Sequence, residues 1–558
     1  MTWQRVALCM LAALLILTAE ACFSPQRPSP AAGLGAEEAL SVIPAPREVH
    51  RLNGTFTLDG GTRILIDRGF ADAKPVAEYL ADFLSRATGR AIPVYQRALP
   101  LHPKGAIRLV LGATPRESGE EAYELQVRAD RVIIRASTAT GLFYGAQTLR
   151  QLLPPEIEGL TTAPKPAAWQ VPCVRILDGP RFRWRGLLLD CARHFFPKES
   201  VKRFIDLMAL HKFNVLQIHF TDDQSWTLQI DAYPNLTKIG AHGGPYAMNG
   251  TWLGLGKGIG SGRFFTRDDV REMVRYAADR HITIVPEIEM PAHAGSWLAS
   301  CPELLCTSGQ NLPAPAVGTH GEGDQRAVWA AHRELCPGNE ATYQMAERIL
   351  AEVFEMFPGG HVHLGGDEAS KYGWKLCQRC QARMKAEGLK DERELQSYFI
   401  RRIGKFIESR GRDFVGWDEI MQGGLAPNAI VMSWTGVAPD RAAVRAGHNV
   451  IFSPTSHCYF DYPYDRISTQ KVHSFDPVET LTDDEAKHVM GIQGNLWTES
   501  IPDMNRLEYM AFPRATALAE VAWSPGGQRN WADFQKRLAV HLRRLDRLRV
   551  NYNRENGR

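Results

Sequence analysis

From Trp184 onward, short apolar runs alternate with longer stretches whose apolar residues recur at helical spacing. The runs fall at 186–190, 215–220, 282–287, 361–365, 414–417, 430–434, 450–453 and 489–493. Each is too short for a helix and apolar on both faces, as expected of a strand buried in a parallel sheet. Helical periodicity covers 199–212, 267–280, 340–357, 392–410 and 506–523. Eight alternating β and α units predict a (β/α)8 TIM barrel over 170–525, with irregular connections after the fifth and seventh strands. Beyond it, Phe534, Leu538, Leu542, Leu545 and Leu548 keep amphipathic-helix spacing, so 526–558 is expected to pack a helix on the barrel.

Ahead of the barrel the pattern changes. Over 40–165, β-rich runs at 62–67, 107–112, 123–127 and 132–136 are interleaved with helical patterns at 75–88 and 141–153, which predicts a smaller α+β domain. Pro154, Pro155, Pro164 and Pro166 punctuate the link to the barrel. The fold class is therefore α/β, a TIM barrel preceded by an α+β domain. At the start of the chain, Arg5, the apolar run 6–17 and Ala19-Glu20-Ala21 have the layout of a signal peptide over 1–21. A Pro- and Ala-rich tether follows over 22–39. Export to the periplasm or cell surface is expected. Cys22 resembles the lipidated cysteine of bacterial lipoproteins, which would anchor the chain to a membrane; ordinary cleavage after Ala21 is the alternative.

At 558 residues, 44% hydrophobic, 23% charged and a net charge of +3, the composition excludes a disordered chain and offers no charged block for nucleic acid. A neutral or weakly charged substrate fits better. Eight cysteines follow Cys22: Cys173, Cys191, Cys301, Cys306, Cys336, Cys377, Cys380 and Cys458. Cys377-Gln378-Arg379-Cys380 has zinc-like spacing, but no second Cys or His pair stands at matching distance. The pair reads as a local disulfide or two free thiols, and no metal or cofactor is expected. The Gly-rich stretch 254–262 lacks the Gly-Lys-Ser/Thr ending of a phosphate loop and reads as a loop beside the pocket.

In such a barrel the active site lies at the C-terminal ends of the strands. Strand one leads to Arg193 and His194, strand two to Asp222 and Asp223, strand three to Glu289 and His293, and strand four to Asp367 and Glu368. The later strands lead to Trp417, Trp434, Tyr459 with Asp461, and Trp497 with Glu499. Any one of these has a bland reading as core residue, helix cap or surface ion pair. Together, carboxylates, an arginine and aromatic faces suit a sugar, whose C–H surfaces pack on rings and whose hydroxyls take charged partners.

On these residues the chain resembles glycoside hydrolase family 20, the β-N-acetylhexosaminidases, from about residue 40 to 525. The matching segments are RGLLLD at 185–190 running to Arg193-His194-Phe195, NVLQIHFTDDQSW at 214–226 and PEIEMPAH at 286–293. They continue with HLGGDE at 363–368, GWDE at 416–419, MSW at 432–434 and NLWTE at 495–499. Ala292 stands where glycine is commoner, and Glu289 where aspartate is often found.

The resemblance implies an exo-acting, retaining enzyme that removes terminal β-linked GlcNAc or GalNAc from glycans, with the substrate's own acetamide as nucleophile. Glu368 would be the acid/base, protonated at rest. Asp367 would stay ionised and orient the acetamide N–H, and Tyr459 would donate to the acetamide oxygen. Arg193, Asp461 and Glu499 would bind hydroxyls, and Trp417, Trp434 and Trp497 would wall the sugar. Asp222 and His293 would stand behind Glu368. A chitinase-like endo-enzyme would want an open groove in place of Arg193 and Glu499. A carbohydrate-binding lipoprotein without activity would have no need of a proton donor.

Overall fold

The eight apolar runs form eight parallel strands: β8 (Trp184–Asp190), β9 (Val215–His219), β10 (Thr283–Glu287), β11 (His361–His363), β12 (Asp413–Trp417), β13 (Ile430–Ser433), β14 (Val450–Phe452) and β15 (Val489–Leu496). They close in sequence order, β15 pairing back on β8 from Gly491 against Trp184 to Leu496 against Leu189. The computed structural model describes residues 40–67, 69, 71–97, 104–112, 119–159, 169–242, 260–306 and 333–555. The signal-peptide reading, the tether with Cys22 and most of the Gly-rich stretch lie outside them. Among the described residues no helix is long and apolar enough to cross a membrane.

The barrel interior mixes two kinds of side chain. Trp184, Leu188, Val215, Val285, Val415, Trp417, Ile430, Met432, Ile451 and Met490 form one apolar cluster. Among them stand buried polar side chains, Gln217, His219, Glu287 and Gln493. These pay for burial by bonding one another: Gln493 Nε2 donates to Gln217 Oε1 at 2.8 Å, and Gln217 Nε2 to Glu287 Oε2 at 2.8 Å. A core whose polar side chains are already bonded to one another gives a polar site a fixed floor.

The first domain is a seven-stranded sheet. Its strands are β1 (Glu48–Leu58), β2 (Arg63–Asp67), β3 (Val94–Arg97), β4 (Ala106–Leu111), β5 (Tyr123–Arg128), β6 (Arg131–Ala136) and β7 (Trp169–Asp178), in the order β1-β7-β5-β6-β4-β2-β3. Helices Ala73–Thr88 and Ala139–Leu152 cover it. The strand after the proline cluster, β7, returns to this sheet between β1 and β5, so the domain runs past the expected end at 165.

The two domains are locked by buried polar pairs. Lys212, 0% exposed, reaches Asp178 Oδ2 at 3.1 Å and Tyr123 Oη at 2.9 Å, while Trp523 Nε1 donates to Asp178 Oδ1 at 2.9 Å. The C-terminal helix, Trp531–Arg547, packs on the barrel and also reaches the first domain at this junction. Its His541 meets His211 of the barrel at 2.9 Å. Its Arg544 pairs with Glu158 at 2.8 Å and donates to the carbonyls of Gln151 and Leu153, capping the end of helix Ala139–Leu152.

Among the described residues the cysteines form no disulfide. Cys377 and Cys380 are not an isolated pair: Cys306 and Cys336 are packed against them.

Candidate active site

At the barrel mouth, Asp190 at the end of β8 accepts from the backbone N–H groups of Ala192 (2.9 Å), Arg193 (3.0 Å) and Thr498 (3.0 Å). One carboxylate thereby ties the first and last strands together and fixes the turn that presents Arg193. The guanidinium then meets Asp190 at 3.2 Å, Asp222 at 2.7 Å, Glu499 at 3.5 Å and Gln224 at 3.0 Å, and lies over the Trp497 ring at 5.1 Å. Its planar fork is held on several sides, which suits a group that must offer hydrogen bonds in one direction.

The loop after β11 is built from left-handed backbone. Gly365 has φ +66° and Gly366 φ +94°, and Gly366 N–H donates to Glu289 Oε1 at 2.9 Å. A side chain on Gly365 would collide with the Glu289 carboxyl, so the glycine is required by both conformation and space. Glu368 itself has φ +50° and His293, facing it, φ +48°. Left-handed non-glycine residues store strain, and here two of them face each other across the site.

His293 Nε2 stands 3.4 Å from Glu368 and 3.6 Å from Asp367, and its Nδ1 is 3.3 Å from both Asp222 and Asp223. Burial disfavours the charged ring, yet the Asp222 and Asp367 carboxylates outweigh it and hold the pKa well above the ordinary value. The hydrogen bond from His293 in turn pulls Glu368, whose side chain is 55% exposed, down to about 2. Asp367 moves the other way: burial raises it, and the adjacent Glu368 adds to the rise against the pull of His293. Both shifts run against the expectation of a Glu368 protonated at rest beside an ionised Asp367, and their causes are the burial of Asp367 and the charged His293 that faces Glu368. Asp367 Oδ1 is buried and finds no hydrogen-bond partner among the described residues.

Opposite the carboxylates stand Trp434, Tyr459, Asp461 and Trp497. Tyr459 is placed by backbone: Asn495 N–H donates to Cys458 O at 2.7 Å and Phe460 N–H to Asn495 O at 2.8 Å, extending the β14–β15 line into the loop. Its ring lies face to face with Trp434, centroids 6.1 Å apart. Burial and the nearby Glu499 push Asp461 up to about 7, and its Oδ1 also finds no partner among the described residues. Arg193, Asp222, His293, Asp367, Glu368, Trp434, Tyr459, Asp461, Trp497 and Glu499 together line a cavity of about 420 Å³. Trp417 lies behind that lining. It is 1% exposed, its N–H donates to Glu287 at 2.9 Å, and its ring backs Trp497 at 5.7 Å, so it braces the wall that it was expected to form.

Several residues of the network have no assigned part in the sequence reading. His219 bridges Asp222 at 2.9 Å and Glu287 at 2.7 Å; burial opposes its charge, but these carboxylates raise it to about 10. Arg333 pairs with Asp223 and stands 2.6 Å from His293. Glu419 accepts from Trp434 Nε1 at 2.8 Å and is raised to about 9 by burial and by Asp367. His219 and Glu287 had a visible signal, a charged side chain inside an apolar strand. Arg333 had none. The sets His219-Glu287-Glu289 and Asp222-Asp223-His293 are close enough to share a cation, but their ion pairs already occupy them.

The catalytic-domain model of glycosyl hydrolase family 20 matches residues 182–526, and the model of that family's domain 2 matches 39–179. The chain belongs to glycosyl hydrolase family 20. A β-hexosaminidase of Porphyromonas gingivalis is 36% identical over 92% of this chain, which spans 64% of that protein's length. The solved family 20 β-N-acetylhexosaminidase of Streptomyces coelicolor A3(2) shares 34% identity at a TM-score of 0.78, covering 92% of this chain and 97% of that one. The family 20 exo-β-N-acetylglucosaminidase of Vibrio harveyi, solved with N-acetylglucosamine, shares 28% identity at a TM-score of 0.79, covering 92% and 78%. As a family 20 member the chain is a glycoside hydrolase.

Proposed function

We propose that this family 20 member is an exo-acting, retaining β-N-acetylhexosaminidase that removes terminal β-linked GlcNAc or GalNAc by acetamide participation. The observation that supports this is Asp367: a carboxylate with one oxygen buried and unpartnered among the described residues, adjacent to Glu368 and lining one cavity with Tyr459. An acetamide seated there gives its N–H to Asp367 and accepts from the Tyr459 hydroxyl, which aims its carbonyl oxygen at the anomeric carbon. As that oxygen bonds to C1, the bond from C1 to the leaving oxygen breaks and Glu368 gives that oxygen its proton. Positive charge spreads over the oxazolinium ring beside ionised Asp367. Water then adds to C1 as the ring opens, losing its proton to Glu368, with net retention.

Substrate shifts both carboxyls toward the roles the reaction needs. A sugar over Glu368 removes its solvent, and an acetamide N–H donating to Asp367 favours its ionised form. Both effects raise the proton affinity of Glu368. Exo action is supported by the cavity's small volume and by Arg193, Asp461 and Glu499 in its lining, which offer charged partners to the hydroxyls of a terminal sugar. The Vibrio harveyi relative is itself an exo-β-N-acetylglucosaminidase.

Aryl β-N-acetylglucosaminide is expected to be hydrolysed, the galactosaminide at a comparable or slower rate, and the plain β-glucoside not at all. Comparable turnover of the glucoside in a colorimetric assay removes acetamide participation. A pH profile adds a second check. With a pKa raised to about 7, Asp461 is neutral below that pH and a carboxylate, the stronger acceptor for a hydroxyl, above it. In the free enzyme kcat/KM should therefore rise through about pH 7, and Asp461→Asn should flatten that limb. An unchanged limb in the variant assigns the titration elsewhere.

A further inference from the structure

Away from the sugar cavity, four buried cysteines converge from distant parts of the chain. Cys306 follows the 3-10 turn Pro302–Leu304, Cys336 precedes helix Glu340–Met356, and Cys377 and Cys380 flank the first turn of helix Gln378–Glu387. The Sγ atoms of Cys306 and Cys380 are 3.6 Å apart, those of Cys336 and Cys377 3.7 Å, and those of Cys336 and Cys380 3.5 Å. All four sulfurs lie within 4.8 Å of one another. We propose that Cys306, Cys336, Cys377 and Cys380 form a closed tetrathiolate site for a structural zinc ion.

The spacing carries the argument. A tetrahedral ion with metal–sulfur bonds of about 2.3 Å sets its sulfurs about 3.8 Å apart, whereas a disulfide brings two of them to about 2.05 Å. The contacts also single out no two bridges: the shortest, Cys336 to Cys380, joins the pairs Cys306–Cys380 and Cys336–Cys377 into one cluster of near-equal spacings. Four sulfurs with no nitrogen or oxygen ligand select a soft, tetrahedral ion, and a closed, buried set with no open position marks a structural role. Cys377-x-x-Cys380 is one ordinary half of such a site. The missing half, whose absence from the local sequence argued against a metal, is supplied by Cys306 and Cys336 through the fold.

The surroundings are built for thiolates. The Cys380 N–H and the Arg379 side chain both hydrogen-bond Cys377, offsetting negative charge, and Arg379 is fixed by donating to Leu305 O at 2.8 Å. Trp374, Met384 and Leu395 exclude water. Gly338 lies so close to the backbone of Arg379 and Cys380 that any side chain there would push the two halves apart.

The site also explains how two loops of the active centre are held together. Just ahead of Cys336, Arg333 pairs with Asp223 beside His293, and Glu334 accepts from the N–H groups of Ser370 and Lys371, two and three residues after Glu368. Just ahead of Cys377, Trp374 Nε1 donates to Leu335 O at 3.0 Å. One ion would clamp both segments without touching substrate.

The test is elemental analysis of the full chain purified without chelators, with thiol counting and intact mass. The expected result is about one zinc per chain, with the four thiols unreactive until the protein is unfolded with chelator present. Cys377→Ser/Cys380→Ser should lose the zinc and lower Tm, while Cys173→Ser should keep both. If the double variant does not fold, protein produced with cobalt should show the intense visible bands of tetrahedral thiolate coordination. A zinc-free native chain with these thiols titratable, an intact mass showing them joined as disulfides, or iron in place of zinc would overturn the assignment.

Discussion

Glu368→Gln is expected to lower kcat on an aryl β-N-acetylglucosaminide by roughly 10²- to 10⁴-fold, the range for removing a positioned proton donor. Asp367→Asn should cost on the order of 10²- to 10³-fold, as for deleting one preorganised partner of a developing charge. The two losses should differ in kind. A better leaving group needs less protonation, so the Glu368→Gln deficit should shrink as the aryl group becomes more acidic. The Asp367→Asn deficit should stay constant, because it concerns the nucleophile. The measurement is kcat across a series of substituted phenyl glycosides, with circular dichroism to establish folding. Parallel deficits would mean that the two carboxylates share one task, and near-normal turnover of either variant would remove it from the chemistry.

The division of labour within the pair was legible only in part. Barrel, strand order and the ends of the strands could be read from apolar runs because burial on both faces leaves its mark in sequence. β1 could not, since the first eight of the eleven residues of EVHRLNGTFTL are exposed and the strand is held by backbone pairing to β7. The same limit recurs in the site. Arg193, Asp222 and Glu499 were found as residues at strand ends, but their convergence on one guanidinium is a fact of closure, β15 meeting β8. Glu368's low proton affinity depends on His293, and His293's charge on Asp222 and Asp367. Charges inherited through two partners are not written in any local pattern. Trp417 illustrates a third limit: an aromatic at a strand end can face the cavity or brace the residue that does, and one step of backbone decides.

Arg193→Met is expected to lower stability and activity together, because one guanidinium serves both architecture and binding. Methionine keeps an unbranched apolar stem against Trp497 and removes the charge that Asp190, Asp222 and Glu499 surround. Asp190 and Asp222 are buried, so two carboxylates lose their counter-ion in a poorly solvated place. Breaking a buried pair of this kind costs about 3–5 kcal/mol, which should appear as a lower midpoint of chemical unfolding. Activity should fall as well, by on the order of 10²-fold in kcat/KM, through loss of charge-assisted hydrogen bonds worth about 1.5–3 kcal/mol each. Arg193→Lys distinguishes the two effects. It restores a cation among the three carboxylates, so most of the stability should return. It lacks the planar fork, so sugar binding should not, and KM should remain raised. If the lysine variant recovers activity along with stability, Arg193 serves the carboxylates and does not meet the substrate. If the methionine variant unfolds like the unaltered protein, the charge around Asp222 is balanced by His219 and His293 alone.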